Sequence, residues 1–217
     1  MQLRAVFLLA VCAHAHSKLL QLSCKDIRRF VNGHNQKRLE VARGNVAGQP
    51  GAAKMNYMVW DAELANKAAG WASKYRQGHN PNKDIASNRF QTGENLYRYS
   101  TTKSPSTLSI GRAIDSWFLE HHNYTFQPFK SAEPNSPKIG HYTQMVWSDT
   151  TYVGCAMSRW QDGKYTRYFV VCNYGPPGNY LNKFPYESSG KGSQKLTCSV
   201  GKDKCNKLRY GDSCPRH

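Results

Sequence analysis

The chain contains 217 residues, 39% of them hydrophobic and 12% aromatic, so it can bury one substantial core and is not expected to be disordered. With 30 Lys and Arg against 14 Asp and Glu, its formal net charge is +16. These cations are scattered rather than gathered in one block interleaved with aromatics, which argues against a nucleic-acid groove. Acidic glycans, a membrane surface and acidic proteins are the alternative partners, beside the simpler interpretation of a solvated basic surface.

The N-terminus, MQLRAVFLLAVCAHAHSKLL, combines an early arginine with an apolar run from Ala5 to Ala13 and the small-x-small pattern Ala13-His14-Ala15. This pattern predicts a secretory signal peptide over residues 1–15. The run is too short to span a bilayer, and no later segment is apolar for long enough. We therefore expect a secreted, extracellular protein.

Secretion has consequences for the cysteines and for one asparagine. Loss of the signal peptide removes Cys12 and leaves an even number of cysteines in an oxidising compartment, where disulfides are expected. Asn123, in Asn-Tyr-Thr, is a plausible glycan acceptor. The remaining cysteines are Cys24, Cys155, Cys172, Cys198, Cys205 and Cys214.

Three segments carry apolar residues at helical spacing. The first starts at Lys25 and should stop near Gly44, the second has Asp61 as its candidate N-cap, and the third is STLSIGRAIDSWFLEHH. The expected inward faces are Ile27, Phe30, Val31 and His34; Leu64, Ala65, Ala68, Ala72 and Tyr75; and Ile110, Ala113, Ile114, Trp117, Phe118 and His121.

Two late segments, TYVGCAMSRW and KYTRYFVVCNY, are rich in β-branched and aromatic residues. Gln161-Asp162-Gly163 between them is typical of a hairpin turn. Because Cys155 and Cys172 are nearly equidistant from that turn, antiparallel pairing brings them close enough for a disulfide. Helices before and around a small antiparallel sheet predict an α+β or three-layer arrangement.

After Tyr180 the composition shifts to Gly, Ser, Lys and Asn, with few large apolar residues. We expect residues 181–217 to form a tail held by its three cysteines. One of them is expected to pair with Cys24, because these four remain once Cys155 and Cys172 are joined. Which one it is stays open.

Several short motifs occur in order along the chain: HNQKR at 34–38, GENLY at 93–97, GHYTQMVW at 140–147, VGCAM at 153–157 and FVVCNYGPPGNY at 169–180. Together they resemble the CAP superfamily, which includes cysteine-rich secretory proteins, insect antigen 5 allergens and plant pathogenesis-related proteins. The resemblance covers roughly residues 25–180. It implies a CAP (SCP) domain over residues 16–180, folded as a three-layer α-β-α sandwich with a central cleft.

The resemblance also implies a tetrad of two histidines and two glutamates at the cleft. It maps onto His79, Glu94, Glu120 and His141, with His121 and His122 as alternative imidazoles beside Glu120. Such a set can hold a divalent metal such as zinc through His79 and His141, act as a general acid and base, or form a structural hydrogen-bonded network.

Catalysis has little independent support in the sequence. Hydrolysis by a serine or cysteine needs a nucleophile within reach of an oriented histidine, and the cysteines are expected to be bridged. Ser148 is the serine closest in sequence after His141, and neither G-x-S-x-G nor H-E-x-x-H occurs. We therefore expect a monomeric binding protein with no required cofactor.

Two binding hypotheses remain. Family members hold fatty acids, sterols or other lipids between helices, so Phe30, Val31, Trp71, Trp117 and Phe118 are candidate channel residues, although such stripes more often form core. A protein with such a channel would scavenge lipid-like mediators.

The second hypothesis is adhesion, as an integrin antagonist that inhibits platelet aggregation. Arg43-Gly44-Asn45 lies in a loop-like segment and keeps the shape of Arg-Gly-Asp without its carboxylate, whereas the tail's RYGDSC inserts Tyr210 after Arg209.

The chain departs from its relatives at two points. Its tail has too few cysteines for the channel-blocking domain of vertebrate cysteine-rich secretory proteins, and Tyr75 stands where many relatives have a cysteine. The chain therefore looks most similar to an arthropod antigen 5 protein of saliva or venom, a toxin or allergen that interferes with host haemostasis.

Overall fold

The computed structural model describes residues 18–104, 106–131 and 133–214. The predicted signal peptide and Cys12 lie outside this range. Within it, no helix combines the length and the apolar character needed to cross a bilayer.

A five-stranded sheet forms the middle of the molecule. Its strands are β1 (Lys18–Leu20), β3 (Val59–Trp60), β4 (Gly93–Thr101), β5 (Tyr152–Asp162) and β6 (Tyr165–Gly175). The order is β1-β5-β6-β4, all antiparallel, and β3 runs parallel to the first residues of β5. A separate pair joins β2 (Gly51–Ala52) to β7 (Ser188–Ser189).

In the described part of the chain, five α-helices accompany the sheet: α1 (Cys24–Ala42), α2 (Ala62–Ala72), α3 (Ile110–Phe118), α4 (Gly140–Met145) and α5 (Lys202–Asn206). A 3₁₀ turn, Leu119–Asn123, continues α3. Asp61 caps α2 by accepting the Leu64 N–H at 2.9 Å, as its sequence position predicts. The expected extension of this helix to Tyr75 is wrong, because Tyr75 has φ +48°, which no right-handed helix accepts.

Helices cover both faces of the sheet, which confirms the three-layer α-β-α arrangement. On one face, Ala68, Trp71 and Ala72 of α2 pack against Ala156, Phe169 and Val171. On the other face, α1, α3 and α4 enclose the larger core, which includes Phe30, Trp117, Tyr142, Val170 and Tyr174. Successive side chains along each strand therefore point alternately into the two cores, as the pleat of a β-strand requires.

The β5–β6 hairpin sets Cys155 directly opposite Cys172, and a disulfide joins them. The turn lies slightly later than expected, since Asp162 pairs with Tyr165 and leaves two residues between the strands. The first of these, Gly163, has φ +55°, which glycine adopts without strain.

Residues 181–214 pack against the rest of the domain and do not form a separate tail. Tyr186 and Tyr210 are buried, and the Tyr210 hydroxyl donates to Asn32 of α1 at 2.9 Å. Cys24 is joined to Cys214, and the Cys198–Cys205 bridge is local. The composition of residues 181–214 does not predict these contacts, because they are made by a few aromatic side chains and by the backbone.

Candidate functional site

The four residues of the predicted tetrad line one cleft of about 700 Å³. The start of β4 supplies Glu94, the loop after α2 supplies His79, the 3₁₀ turn supplies Glu120 and the first turn of α4 supplies His141. The floor is formed by Trp117, whose ring stacks on His141 at 6.3 Å between centroids. The structure therefore brings together all four residues that the sequence suggested.

Within the cleft, the residues are grouped as two His–Glu pairs. Nδ1 of His79 lies 2.9 Å from Oε1 of Glu94, which also accepts the Asn80 N–H at 3.0 Å. His79 is 62% exposed, whereas Glu94 is only 9% exposed. Glu94 thus fixes one edge of a histidine whose other edge faces solvent.

The second pair is more enclosed. Nδ1 of His141 lies 2.6 Å from Oε1 of Glu120, whose Oε2 accepts the backbone N–H groups of His141 and Tyr142 at 2.9 and 3.2 Å. A carboxylate at the start of a helix is favourable because it satisfies N–H groups that lack an intrahelical partner. Glu120 therefore holds both the ring of His141 and the first turn of α4.

The neighbouring imidazoles do not replace His141. The ring of His121 is buried and bonds the carbonyl of Phe118 at 3.0 Å. Burial lowers its pKa, so it is held neutral on the core side of the turn. His122 is exposed beside it, with the two ring centroids 4.0 Å apart.

The side chains of Gln144 and Thr143 hold α4 in place. A Cβ at Gly93 would stand 2.8 Å from Cδ of Gln144 and closer still to its Oε1, which accepts the Gly178 N–H at 2.9 Å. Thr143 donates to the side chain of Asn179 at 2.7 Å. The polar residues of GHYTQMVW other than His141 thus anchor the helix that presents it.

The donor set can be compared with what zinc requires. A histidine that donates Nδ1–H to a carboxylate keeps Nε2 as a metal ligand, and this pattern supports zinc-bound histidines in general. In the described ranges, however, no three His, Cys, Asp or Glu side chains are grouped closely enough to hold a metal ion. Zinc sites normally use three or four protein ligands, so His79 and His141 offer at most a partial site.

A nucleophile for hydrolysis is not evident at the tetrad. Ser148 lines a different cleft. Ser116 borders the tetrad cleft, but none of the hydrogen bonds made by the described residues links it to either histidine. The arrangement can position a ligand or transfer a proton, and only a mechanism with a covalent acyl intermediate needs a side-chain nucleophile in addition.

The HNQKR motif contributes no residue to the tetrad and instead ties distant backbone together. Arg38 is completely buried, and its guanidinium donates to five carbonyls at 2.8–3.1 Å, those of Asn56, Met145, Trp147, Ser148 and Thr150. Burial lowers its pKa to about 9, which leaves it protonated at neutral pH. Sequence reasoning missed this role because Arg38 lies on a helix where a cation normally faces solvent.

His34 is likewise internal. Its Nδ1 bonds the Phe30 carbonyl and its Nε2 bonds the Tyr174 hydroxyl, both at 2.8 Å. Burial lowers its pKa to about 4, so it is neutral in the folded protein.

The predicted lipid-channel residues lie in the core. Phe30, Val31, Trp71, Trp117 and Phe118 are all at most 5% exposed, and Trp117 alone among them borders one of the clefts described here. Helical spacing identified their burial correctly but did not distinguish core from channel.

A larger cleft, of about 1060 Å³, contains no tetrad residue and shares Pro177 and Tyr180 with a smaller cleft that His79 and Glu94 also line. Tyr180, Leu181 and Phe184 line it and are 52, 57 and 47% exposed. We call it the apolar cleft; its other lining residues are Lys54, Phe126, Trp147, Ser148, Asp149, Pro176, Pro177, Lys183, Tyr186, Glu187 and Ser188.

The two adhesion candidates are tied to the domain. Arg43-Gly44-Asn45 forms the C-terminal cap of α1, where the N–H groups of Gly44 and Asn45 bond helix carbonyls at 3.0 and 2.9 Å. Arg209 donates to the Cys205 carbonyl at 2.7 Å and lies over the ring of Tyr57. The predicted glycan acceptor Asn123 is exposed at the end of the 3₁₀ turn.

Comparisons with known proteins agree with this fold. The family model described as "Cysteine-rich secretory protein family" (CAP) matches residues 31–174. Venom allergen 5.02 of Dolichovespula maculata is 35% identical over 81% of this chain and 83% of its own. A venom allergen 3 homolog of Dinoponera quadriceps is 39% identical over 76% and 74%.

Two solved structures have similar folds. NaASP2, determined with Zn²⁺, is 30% identical with a TM-score of 0.62 and covers 82% of this chain and 93% of its own. The hookworm platelet inhibitor is 25% identical with a TM-score of 0.57 and covers 89% and 88%.

Proposed function

The chain belongs to the cysteine-rich secretory protein (CAP) family, with relatives among venom allergens, and on that premise we propose that it is an extracellular protein that binds a lipid-like small molecule. The observation that carries the proposal is the apolar cleft. Its volume suits one ligand of lipid or drug size, since such sites span roughly 300–1,000 Å³. The three disulfides support an extracellular location.

The character of the cleft indicates the ligand class. Tyr180, Leu181 and Phe184 expose apolar surface that would leave water when a ligand binds, and Phe126 lies 5.0 Å from the Phe184 ring. Lys54 and Lys183 line the cleft together with Asp149 and Glu187, and the two lysines offer cations for a carboxylate headgroup. An amphipathic anion such as a fatty acid matches both features.

The test is titration of a fluorescent fatty acid into the purified, oxidised protein. Leu181→Asp and Phe184→Asp should each weaken fatty-acid binding by about tenfold or more. Each variant removes an apolar contact with the ligand and places a negative charge in the cleft, which repels the carboxylate headgroup. Leu19→Asp is the matched control, since Leu19 is 43% exposed but lies on β1 away from this cleft. Binding that survives both cleft variants, or falls equally with Leu19→Asp, would contradict the proposal.

The tetrad gives an independent check on catalysis. A binding protein should keep its fatty-acid affinity in His141→Ala and Glu94→Gln, whose side chains line the other cleft. Turnover of an ester substrate that disappears in both variants would instead favour a hydrolase.

Interference with haemostasis is a second candidate, favoured by the likeness to the hookworm platelet inhibitor. Arg209 donates to the Cys205 carbonyl, whereas Arg43 is exposed in a segment that lacks the carboxylate of Arg-Gly-Asp, so the two segments give this candidate little support through integrins. A platelet-aggregation assay with Arg43→Ala and Arg209→Ala tests it; inhibition that both variants retain would remove these segments from any such activity.

A further inference from the structure

The sheet extends beyond the helix that covers one of its faces, and cations gather there. Helix α2 ends at Ala72, while β4 continues to Thr101 and β5 to Asp162. We call this region the basic sheet end. Its cations are Lys74, Arg76, Arg98, Lys164 and Arg167.

The strand register places two of these cations, Arg98 and Arg167, on one face. Leu96 and Val171 pair with each other and pack toward α2, so positions two and four residues further along share that face. Arg98 therefore lies on it, and so does Arg167, whose guanidinium donates to Ser100 at 3.2 Å. Trp160, opposite Arg167, adds an aromatic ring.

Charge on this face is predominantly positive. The strand positions beyond the helix include a single carboxylate, Asp162, which lies 2.6 Å from Nε of Arg167. Lys74 and Arg76 follow α2 and are exposed, and the Arg76 carbonyl accepts a hydrogen bond from Arg98. The face therefore keeps a net positive charge after that ion pair is counted.

Aromatic rings hold the cations in place. The Arg98 guanidinium lies 4.1 Å from the centroid of Phe169, and Arg167 and Lys164 lie 5.5 and 5.6 Å from that of Tyr165. Trp160 packs on Tyr75 with centroids 4.2 Å apart. Cations that are already ordered lose less conformational entropy when they bind an anion.

We propose that the basic sheet end binds a sulfated glycan chain of the cell surface or matrix. Arginines suit sulfate because the planar guanidinium presents paired N–H donors to tetrahedral oxyanions, as it does to phosphate. Arg98 pairs with Phe169 and Arg167 pairs with Ser100, so the two arginines are diagonal neighbours on adjacent strands, a spacing of about 7–8 Å that lets one chain with repeated anions contact both.

Binding to immobilised heparin at physiological ionic strength tests the proposal. The triple variant Arg98→Gln, Lys164→Gln, Arg167→Gln should bind about tenfold more weakly or worse. The control removes the same number of charges elsewhere, at exposed Lys195, Lys202 and Lys204, and should change affinity by less than about threefold.

A second variant guards against misfolding of the first. Lys74→Gln with Arg76→Gln leaves the strand contacts intact and should also weaken binding. Equal losses in the control, undiminished binding by both test variants, or equal binding to desulfated heparin would overturn the proposal. So would a loss restricted to phosphatidylserine vesicles, which would make the partner a membrane. Fatty-acid titration of the same variants keeps this outcome separate from that of the apolar cleft.

Discussion

Replacement of Arg38 tests whether one buried side chain holds the segment that follows α4. Its guanidinium makes five hydrogen bonds to backbone carbonyls, four of them in residues 145–150. Lysine keeps the charge but has three donors, so at least two carbonyls lose their partner. At about 1.5 kcal/mol for each hydrogen bond to a charged group, Arg38→Lys should lower the free energy of unfolding by about 3 kcal/mol.

Arg38→Met should cost more, about 4 kcal/mol or above, although release of a buried charge offsets part of the loss. Both effects are measured by urea unfolding of the oxidised protein, followed by tryptophan fluorescence and circular dichroism. Arg29→Lys is the control, because Arg29 is on the same helix but exposed and makes one ion pair at 3.5 Å. A change below about 1 kcal/mol in Arg38→Lys would refute the idea that these bonds carry the stability of the segment.

Three further predictions concern stability. The folded pKa of His34 is about 4, below its ordinary 6.5, so the unfolded chain binds more protons in this window and stability should fall by about 3 kcal/mol as pH drops through it. Urea unfolding from pH 7 to 4 should show a flatter curve for His34→Gln, and parallel curves would contradict the assignment. The double variant Cys24→Ser, Cys214→Ser should lose about 2–5 kcal/mol and unfold at a lower temperature by calorimetry, since it frees a loop of 190 residues. Gly93→Ala should lose about 1–3 kcal/mol through its clash with a buried glutamine, whereas Gly70→Ala, with open space on α2, should be neutral or stabilising by up to about 1 kcal/mol; equal effects in thermal unfolding would argue against the clash.

The parts of the fold that depend on local chemistry were predictable. Asp61 caps α2 because its side chain reaches an N–H three residues away, and Cys155 meets Cys172 because a short turn fixes their register. Both relations are readable from spacing alone. The His–Glu tetrad was located through its resemblance to a family, and spacing would not have assembled residues as far apart as His79 and His141.

The features that escaped prediction depend on partners distant in sequence. Arg38 bonds carbonyls 18–112 residues further along the chain, and carbonyls leave no trace in a sequence. Leu181 and Phe184 lie in a segment whose composition is typical of a tail, yet they line the largest cleft described. Helical periodicity marked Phe30 as buried and gave no information on what would cover it.

The Cys24–Cys214 bridge sets an order of events during biosynthesis. Cys24 is the first residue of α1, and its partner is made 190 residues later, so α1 is synthesised long before the partner of its cysteine. The hairpin bridge, only 17 residues apart, has no such delay. Oxidation of Cys155 with Cys172 before Cys214 emerges would leave Cys24 without a competing partner from the hairpin. The Cys198–Cys205 bridge is also local, so once both local bridges have closed, Cys24 and Cys214 are the two cysteines left to pair among those that the structure describes.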